Sequence, residues 1–337
     1  MNEPGGMRLA TARDGTRDGR LLVVRRDGEA ALDAADVARS LQDALDRWEE
    51  ALPSLRALSA SLDAGAADGI PVDPRSLGPP LPRAYEWIDG SAFLHHVRLV
   101  RRARGVEPPA DLAEVPLLYQ GGSGVLLGPA DAVPLPDAGW GLDFEGEVCC
   151  ILGDVPAGIR ATNAASRVRL LCLANDLTFR NLVPAELARG FGFFQSKPAT
   201  AFSPFAVTPD ELVPAWRDGR VNLPLTVRWN DRLVGSADAG EMHFSFFQLL
   251  EHAARTRAFT AGTILGSGTV SSARPGAGWS CIAEARALEM IEAGRAETRF
   301  LAAGDTIEIE MRGPDGRDLF GRIAQRVVEA ASAGPAG

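Results

Sequence analysis

Two acidic residues stand close together inside an apolar run of the chain. The segment GLDFEGEVCCILG places Glu145 and Glu147 two positions apart, and the two-residue period of a β-strand directs both side chains to one face. The apolar neighbours favour burial, where adjacent carboxylates repel each other unless a cation lies between them. The pair therefore indicates a cation site, with a solvated acidic strand edge as the alternative.

Two aspartates beside apolar runs extend this set. Asp176 follows the run VRLLCLAN, which we interpret as a buried helix, and Asp89 lies in AYEWIDGSAFLHH, seven residues before His96. A lone buried aspartate is costly unless it has a partner. Four carboxylates without cysteine or paired histidine ligands suit a hard cation such as Mg²⁺, Ca²⁺ or Mn²⁺ better than zinc. Spacing alone leaves a purely structural role open.

Lys197, in GFGFFQSKPATAFSP, is the only lysine among 35 cationic residues. An ammonium group is compact, whereas a guanidinium is planar and forked, so the two are not equivalent in a confined site. The single lysine indicates a position where arginine does not fit. Chance retention on the surface is the alternative.

Composition and charge exclude several classes of protein. The chain has 337 residues, 46% of them hydrophobic, a net charge of −9 and a pI of about 5.1, so a nucleic-acid partner is not expected. No apolar run is long enough to span a membrane, and the N-terminus lacks the apolar core of a signal peptide. Four cysteines without metal-ligand spacing are typical of a reducing compartment. We expect a cytoplasmic protein.

The periodicity of the chain predicts two domains. Residues 8–32 alternate around Asp-Gly turns and predict short strands. Residues 34–63 have helical spacing and predict a helical hairpin that breaks at Pro53, and the proline-rich stretch 69–84 predicts a linker. We therefore expect a small N-terminal α+β domain at 1–75 and a larger, strand-rich domain at 76–330, followed by an Ala/Gly-rich tail.

The larger domain is predicted to contain mixed strands and few helices. The predicted strands are 142–152, 202–207, 223–234, 282–289 and 305–311. The predicted helices are 163–173, 184–189 and 245–257. Asn230-Asp231 and Pro314-Asp315-Gly316 predict hairpin turns.

An ordered set of motifs between about residues 80 and 328 resembles the fumarylacetoacetate hydrolase family, in its bacterial branch. The motifs are D-x6-H at Asp89 and His96, E-x-E at Glu145 and Glu147, N-D at Asn175 and Asp176, F-x-x-K at Phe194 and Lys197, and GSGTVS at 266–271. The resemblance implies a mixed α+β fold with a β-roll or sandwich-like catalytic domain. It also implies a homodimer and one divalent cation per chain.

The resemblance assigns a role to each matching residue. It implies that the metal ligands are Asp89, Glu145, Glu147 and Asp176. It implies that His96 is the general base, that Glu284 orients it, and that Lys197 lies beside the reacting carbonyl. The substrate-contacting residues it implies are Tyr119, Arg180 and Thr269.

The chain also departs from the family pattern. The glutamine that polarises the substrate carbonyl falls near Val183 by counting, and an arginine expected nine residues after the base falls on Gly105, next to Arg104. His95 is adjacent to His96, and the spacing from Asp89 favours His96. The assignment of carbonyl polarisation therefore stays open.

The implied activity is metal-dependent hydrolysis of a carbon–carbon bond in a 2,4-diketo acid or the related fumarylacetoacetate. Fumarylacetoacetate, which yields fumarate and acetoacetate in tyrosine and homogentisate catabolism, is the leading substrate. Acylpyruvate hydrolysis is the alternative, followed by decarboxylation, hydration or isomerisation of a related 2-oxo acid. A base paired with a carboxylate favours hydrolysis, because decarboxylation needs no activated water. A non-catalytic dicarboxylate-binding protein is a further alternative.

The single lysine leads to the first prediction. Lys197→Arg should lose most of the activity and keep the fold, because a guanidinium does not fit beside a chelated diketone. Turnover of the purified variant, with circular dichroism as the control for folding, measures this. Near-normal turnover would show that the lysine is incidental.

Overall fold

The computed structural model describes residues 5–330, which form a strand-rich α+β fold. The first four residues of the predicted N-terminal domain and the predicted tail lie outside the described residues. The α-helices are α1 Leu41–Asp46, α2 Trp48–Asp63, α3 Leu94–Ala103, α4 Val183–Arg189, α5 Phe246–Ala253 and α6 Ile282–Ala293.

The strands occupy much of the chain, and many are short. In order they are β1 Arg8–Ala12, β2 Arg20–Val24, β3 Ala30–Asp33, β4 Ile70–Pro71, β5 Trp87–Gly90, β6 Leu118–Gly121, β7 Val133–Leu135, β8 Leu142–Asp143, β9 Gly146–Leu152, β10 Val168–Asn175, β11 Thr178–Phe179, β12 Ala201–Phe202, β13 Ala206–Val207, β14 Trp216–Arg217, β15 Arg220–Val221, β16 Pro224–Trp229, β17 Arg232–Asp238, β18 Ile264–Gly266, β19 Thr306–Met311 and β20 Ile323–Glu329.

Within residues 5–330 the largest sheet has eleven strands in the order β4-β3-β2-β1-β13-β10-β9-β18-β5-β6, with β12 paired to β10. The N-terminal strands β1 to β4 join this sheet through the antiparallel pair β1 and β13. Next to them, the buried Arg8 forms an ion pair with Glu211 at 3.2 Å. The N-terminal strands and the strands of the larger domain therefore share one continuous sheet.

A second sheet of five strands, in the order β17-β16-β19-β20-β7, covers one face of the first. Strand β9 shows the two-layer arrangement, because its side chains alternate between two cores. Val148, Cys150 and Leu152 belong to the cluster that includes the second sheet. Cys149 and Ile151 belong to the cluster that includes α1 and α2. Burial on both faces explains the nearly continuous apolar run of β9.

Two glycines allow the close approaches that this packing needs. A Cβ atom at Gly146 would lie 2.8 Å from Cδ2 of Leu225 in β16, so the second sheet packs directly on the backbone between Glu145 and Glu147. A Cβ atom at Gly266 in β18 would lie 2.4 Å from Oδ1 of Asp89. Glycine at these two positions leaves room for the facing side chains.

Three of the predicted elements are wrong. Residues 163–173 were predicted as a helix, but β10 starts at Val168, because an uninterrupted apolar run also suits a strand buried on both faces. Residues 282–289 were predicted as a strand and lie in α6, where Ala, Glu and Leu satisfy helix propensity. The hairpin of α1 and α2 breaks at Arg47, and Pro53 lies inside the first turns of α2.

Most of the other predicted strands and helices agree with the structure, although the predicted linker 69–84 contains β4 of the large sheet. Strands occupy 8–12, 20–24 and 30–33, and β8, β9, β16, β17 and β19 lie within or overlap predicted strands. The predicted strand 202–207 is split into β12 and β13, and α4 and α5 match predicted helices. Asn230 and Asp231 both have positive φ in the turn between β16 and β17. Among the described residues, no helix has both the length and the apolarity needed to cross a membrane.

The packing of β16 on β9 gives a stability prediction. Leu225 is fully buried, so Leu225→Ala should lower the free energy of unfolding by about 2–5 kcal/mol through lost burial and a residual cavity. Urea denaturation measures this. Leu233→Ala, in the neighbouring strand at a side chain that is 52% exposed, should change it by less than about 0.5 kcal/mol. Equal losses in both variants would contradict the packing argument.

Candidate active site

Three carboxylates meet because their strands are neighbours in the large sheet. Asp89 lies in β5, Glu147 in β9 and Asp176 directly after β10. Gly266 of β18 pairs with Asp89 on one side and with Cys149 on the other, and Glu147 pairs with Ala174. This register brings one oxygen of each carboxylate within 4.8 Å of the other two.

The chemistry of this carboxylate cluster, Asp89, Glu147 and Asp176, suits a divalent cation. All three side chains are buried, and neither oxygen of Glu147 has a hydrogen-bond donor among the described residues. A buried carboxylate without a donor lacks the partner that offsets its desolvation. Oxygen ligands are those preferred by Mg²⁺, Ca²⁺ and Mn²⁺, so a hard cation fits here.

The pKa values of the carboxylate cluster also favour a bound cation. Burial, together with the charge of Asp176, raises the pKa of Asp89 to about 8. Burial and the charges of Asp89 and Asp176 raise the pKa of Glu147 well above its usual value. Like charges in a dry site hold protons unless a cation replaces them.

Glu145, the fourth predicted ligand, is held by other partners and is not in this cluster. Its Oε1 forms an ion pair with Nη2 of Arg180 at 2.5 Å and accepts a hydrogen bond from Thr178 at 3.0 Å. Its Oε2 accepts a hydrogen bond from Thr269 at 2.9 Å and lies 3.4 Å from Nζ of Lys197. Burial opposes ionisation, but the charges of Arg180 and Lys197 hold the pKa of Glu145 below its usual value. Its role as a metal ligand stays a prediction.

Lys197 lies at the boundary between Glu145 and the carboxylate cluster. Its Nζ is 2.5 Å from Oδ2 of Asp176, and its side chain is 8% exposed. The hydroxyl of Tyr119 donates to the same oxygen at 2.5 Å, and the ammonium stands 5.2 Å from the centre of the Tyr119 ring. Burial lowers the pKa of Lys197, but the negative charges of Asp176 and Glu145 raise it by a larger amount. The pKa of Lys197 therefore lies above its usual value. Lys197 is therefore a fixed cation.

His96 and Glu284 form a separate dyad between two helices. Nδ1 of His96 in α3 is 2.9 Å from Oε1 of Glu284 in the first turn of α6. The hydrogen bond leaves Nε2 of His96 available to the cavity. The thiol of Cys281 lies near both groups, and burial raises its pKa well above the usual value.

One cavity of about 320 Å³ connects these groups. Asp89, His96, Glu145, Lys197 and Thr269 line it, along with Tyr119 and Arg180. All seven are predicted site residues. Its apolar lining includes Val97, Val100, Leu117, Leu187 and Phe193. Arg101 and Arg104, at the C-terminal end of α3, also line it.

Several residues around the site were not predicted from the sequence. Thr178 and Thr200 donate to Glu145 and Asp176, and Asp143 accepts from Arg180. Asp143 shares the two-residue period of Glu145 and Glu147, and that signal was available in the sequence. No glutamine or asparagine is among the described residues that line the cavity, and Val183 occupies the place where counting put the family glutamine.

Comparison with known proteins gives two family matches that together cover most of the chain. The family profile described as fumarylacetoacetate (FAA) hydrolase C-terminal matches residues 86–328, and the profile described as fumarylacetoacetase N-terminal domain 2 matches residues 7–83. Human mitochondrial oxaloacetate tautomerase FAHD2B is 25% identical over 157 residues, which cover 46% of this chain and 48% of that protein. The chain spans about half the length of the curated relatives it matches.

Solved structures show the same fold. The fumarylacetoacetate hydrolase of Exiguobacterium antarcticum superposes with a TM-score of 0.67 at 19% identity, over 96% of this chain and all of that one. The maleylpyruvate hydrolase of Sphingobium sp. SYK-6, solved with manganese(II) and pyruvate, gives 0.64 at 18% identity with the same coverage.

The carboxylate cluster leads to a prediction about cation binding and pH. Because the pKa of Asp89 is raised to about 8 and that of Glu147 is raised above its usual value, protons compete with a cation for these oxygens, and affinity for Mn²⁺ should rise between pH 6 and 8 by at most about tenfold per pH unit for each proton released. Titration calorimetry in two buffers of different ionisation enthalpy measures both affinity and proton release. An affinity independent of pH between 6 and 8 would contradict the assignment.

A matched pair of variants isolates the ligand. Glu147→Gln should weaken Mn²⁺ binding by about a hundredfold or more, because it removes a charged ligand from a buried site. Glu310→Gln, at a buried glutamate of β19 paired with arginines, should leave the affinity unchanged.

Proposed function

Because the chain belongs to the fumarylacetoacetate hydrolase family, we propose that it is a divalent-cation-dependent hydrolase of a carbon–carbon bond in a diketo acid. Fumarylacetoacetate is the leading substrate, and acylpyruvates are the runners-up. The observation that carries this proposal is the single cavity shared by the His96–Glu284 dyad, Asp89 of the carboxylate cluster and Lys197. The dyad supplies a base, and the cluster suits a cation.

Asp89, Glu147 and Asp176 would hold the cation, which would supply Lewis acidity toward the carbonyl oxygens of the substrate. His96 accepts a proton from water through Nε2, while Glu284 holds the ring through Nδ1 and stabilises the imidazolium that forms. The hydroxide attacks one carbonyl carbon, and the bond from this carbon to the adjacent CH₂ breaks. Its electron pair passes to the departing enolate, which takes back the proton from His96.

Lys197 suits the stabilisation of the oxyanion that forms during this attack. Its ammonium is buried and fixed by Asp176 and Glu145, so it needs little reorganisation as negative charge develops. No amide side chain is found among the described residues lining the cavity. In this proposal, Lys197 is therefore the residue that polarises the carbonyl.

Two arginines in the cavity lining favour a substrate with a second acidic group. Arg101 and Arg104 have no carboxylate partner among residues 5–330. Partial burial and the charges of Arg180 and Arg101 lower the pKa of Arg104, which reports a positive field around its guanidinium. Fumarylacetoacetate carries a carboxylate at each end, whereas acetylpyruvate ends in a methyl group, so the arginines favour the former.

The test of function is loss of enol absorbance with Mg²⁺ or Mn²⁺, measured for fumarylacetoacetate and for acetylpyruvate. Cation-dependent loss with stoichiometric fumarate and acetoacetate is expected. His96→Ala should lower turnover by about a hundredfold or more, as expected for a general base. His95→Ala is the matched control and should keep most activity, since His95 does not line the cavity. Equal losses in both variants would overturn the assignment of the base.

A second reaction is favoured by the similarity to the human oxaloacetate tautomerase. The same base and cation would interconvert the keto and enol forms of a 2-oxo acid without attack by water. The assay separates the two reactions, because tautomerisation consumes enol without forming fumarate and acetoacetate.

The arginines give a prediction about substrate choice. Arg104→Gln should raise KM for fumarylacetoacetate by about tenfold, because one hydrogen bond between charged groups is lost. It should leave KM for acetylpyruvate within about twofold of the native value. Arg102→Gln is the control, because Arg102 belongs to the same helix and does not line the cavity. A uniform rise in KM for both substrates would contradict recognition of a distal carboxylate.

A further inference from the structure

Asp143 connects two parts of the site that are far apart in the sequence. It lies in β8 and is fully buried. Its Oδ1 accepts the backbone N–H of Ile282 at 2.7 Å, and its Oδ2 accepts the N–H of Ala283 at 2.9 Å. The same Oδ2 accepts Nε of Arg180 at 2.8 Å. Three donors from two elements therefore converge on one carboxylate.

Helix α6 depends on this carboxylate for its N-terminal cap. Cys281, at the N-cap position, makes no capping hydrogen bond with its side chain. The first N–H groups of a helix have no partner within it, and a negative charge there also offsets the helix dipole. Asp143 accepts hydrogen bonds from two of these N–H groups and so fixes the direction of the first turn of α6. Glu284, the partner of His96, lies in that turn.

Arg180 extends the connection to the metal side of the cavity. Its Nε contacts Asp143, and its Nη2 forms an ion pair with Glu145 at 2.5 Å. A guanidinium held at two points by carboxylates has little freedom to rotate. Asp143 therefore contacts both the helix that carries Glu284 and the arginine that neutralises Glu145.

We propose that Asp143 is a positioning residue for the general base: by capping α6 from strand β8, it holds Glu284 against Nδ1 of His96. The proposal rests on the proposed function, in which His96 activates water. Asp143 itself does not line the cavity and takes no part in the proton transfers.

A double-mutant cycle on turnover tests the coupling. Asp143→Asn keeps the shape of the side chain but removes its charge, and it turns an NH₂ group toward one of the donors. The variant should therefore lower kcat about ten- to a hundredfold and leave KM within about threefold of the native value. The double variant Asp143→Asn/Glu284→Gln should be no more than about threefold slower than Glu284→Gln alone, because both changes act on one hydrogen bond. If the losses of kcat in the two single variants instead multiplied in the double variant, the proposal would be overturned.

Two further variants separate positioning from general stability. Asp305→Asn is the matched control, because Asp305 is also buried and accepts from Arg299, Asn230 and the N–H of Ala302. It should lower the melting temperature without lowering kcat. Asp143→Ser, whose single short hydroxyl cannot accept from both N–H groups and Arg180, should lower kcat in the same direction as Asp143→Asn. An unchanged kcat in Asp143→Ser would overturn the proposal.

A spectroscopic measurement makes the result independent of turnover. The ¹⁵N shifts of the His96 ring, detected through its carbon-bound protons in alkaline buffer and assigned with His96→Gln, report which nitrogen holds the proton. Nδ1 should hold it in the native chain and in Asp305→Asn, and Nε2 should gain a share in Asp143→Asn and Glu284→Gln. A native-like tautomer in Asp143→Asn would overturn the proposal. Absence of turnover in the native chain would instead overturn the proposed function.

Discussion

The structure depends on the burial of five carboxylates in one small region of the molecule. Asp143 and Glu145 are balanced by Arg180 and Lys197, whereas Asp89, Glu147 and Asp176 share only the single ammonium of Lys197. Like charges in a dry environment are strongly unfavourable unless they are protonated or paired. A divalent cation is the partner that matches this excess of negative charge. A divalent cation bound here would therefore also stabilise the folded region.

The fold meets this constraint by placing the acids on its most rigid part. Strands β5, β9 and β10 are close neighbours in the large sheet, and the second sheet packs against the backbone at Gly146. Groups attached to packed strands keep their geometry better than groups on loops. By contrast, much of the remaining cavity lining comes from α3, α4 and the segment before Lys197. The sheet thus holds the carboxylates, and in the proposed function these peripheral segments would set the choice of substrate.

The sequence allowed much of the site to be predicted from single residues. Each acid in an apolar run was a signal, because burial of an unpaired charge needs a physical reason. The distinction between strand and helix was less certain. The apolar run before Asp176 suits both, and only its place between β9 and β13 shows that it is a strand. Alternation in residues 282–289 was equally ambiguous, and the cap from Asp143 shows that a helix begins at Ile282.

By itself, the sequence determined the family, the strand-rich fold class and the residue types of the site, since these depend on composition, local period and ordered motifs. Only the tertiary structure determined which of these residues contact one another. It brought Asp89, Glu147 and Asp176 together and paired Glu145 with Arg180 and Lys197. It also placed His96 within hydrogen-bond distance of Glu284, which lies 188 positions away in the sequence. It also showed that Asp143 caps a helix 139 positions away. The physical reason is that strand order and register bring distant residues together, and no local pattern encodes those distances.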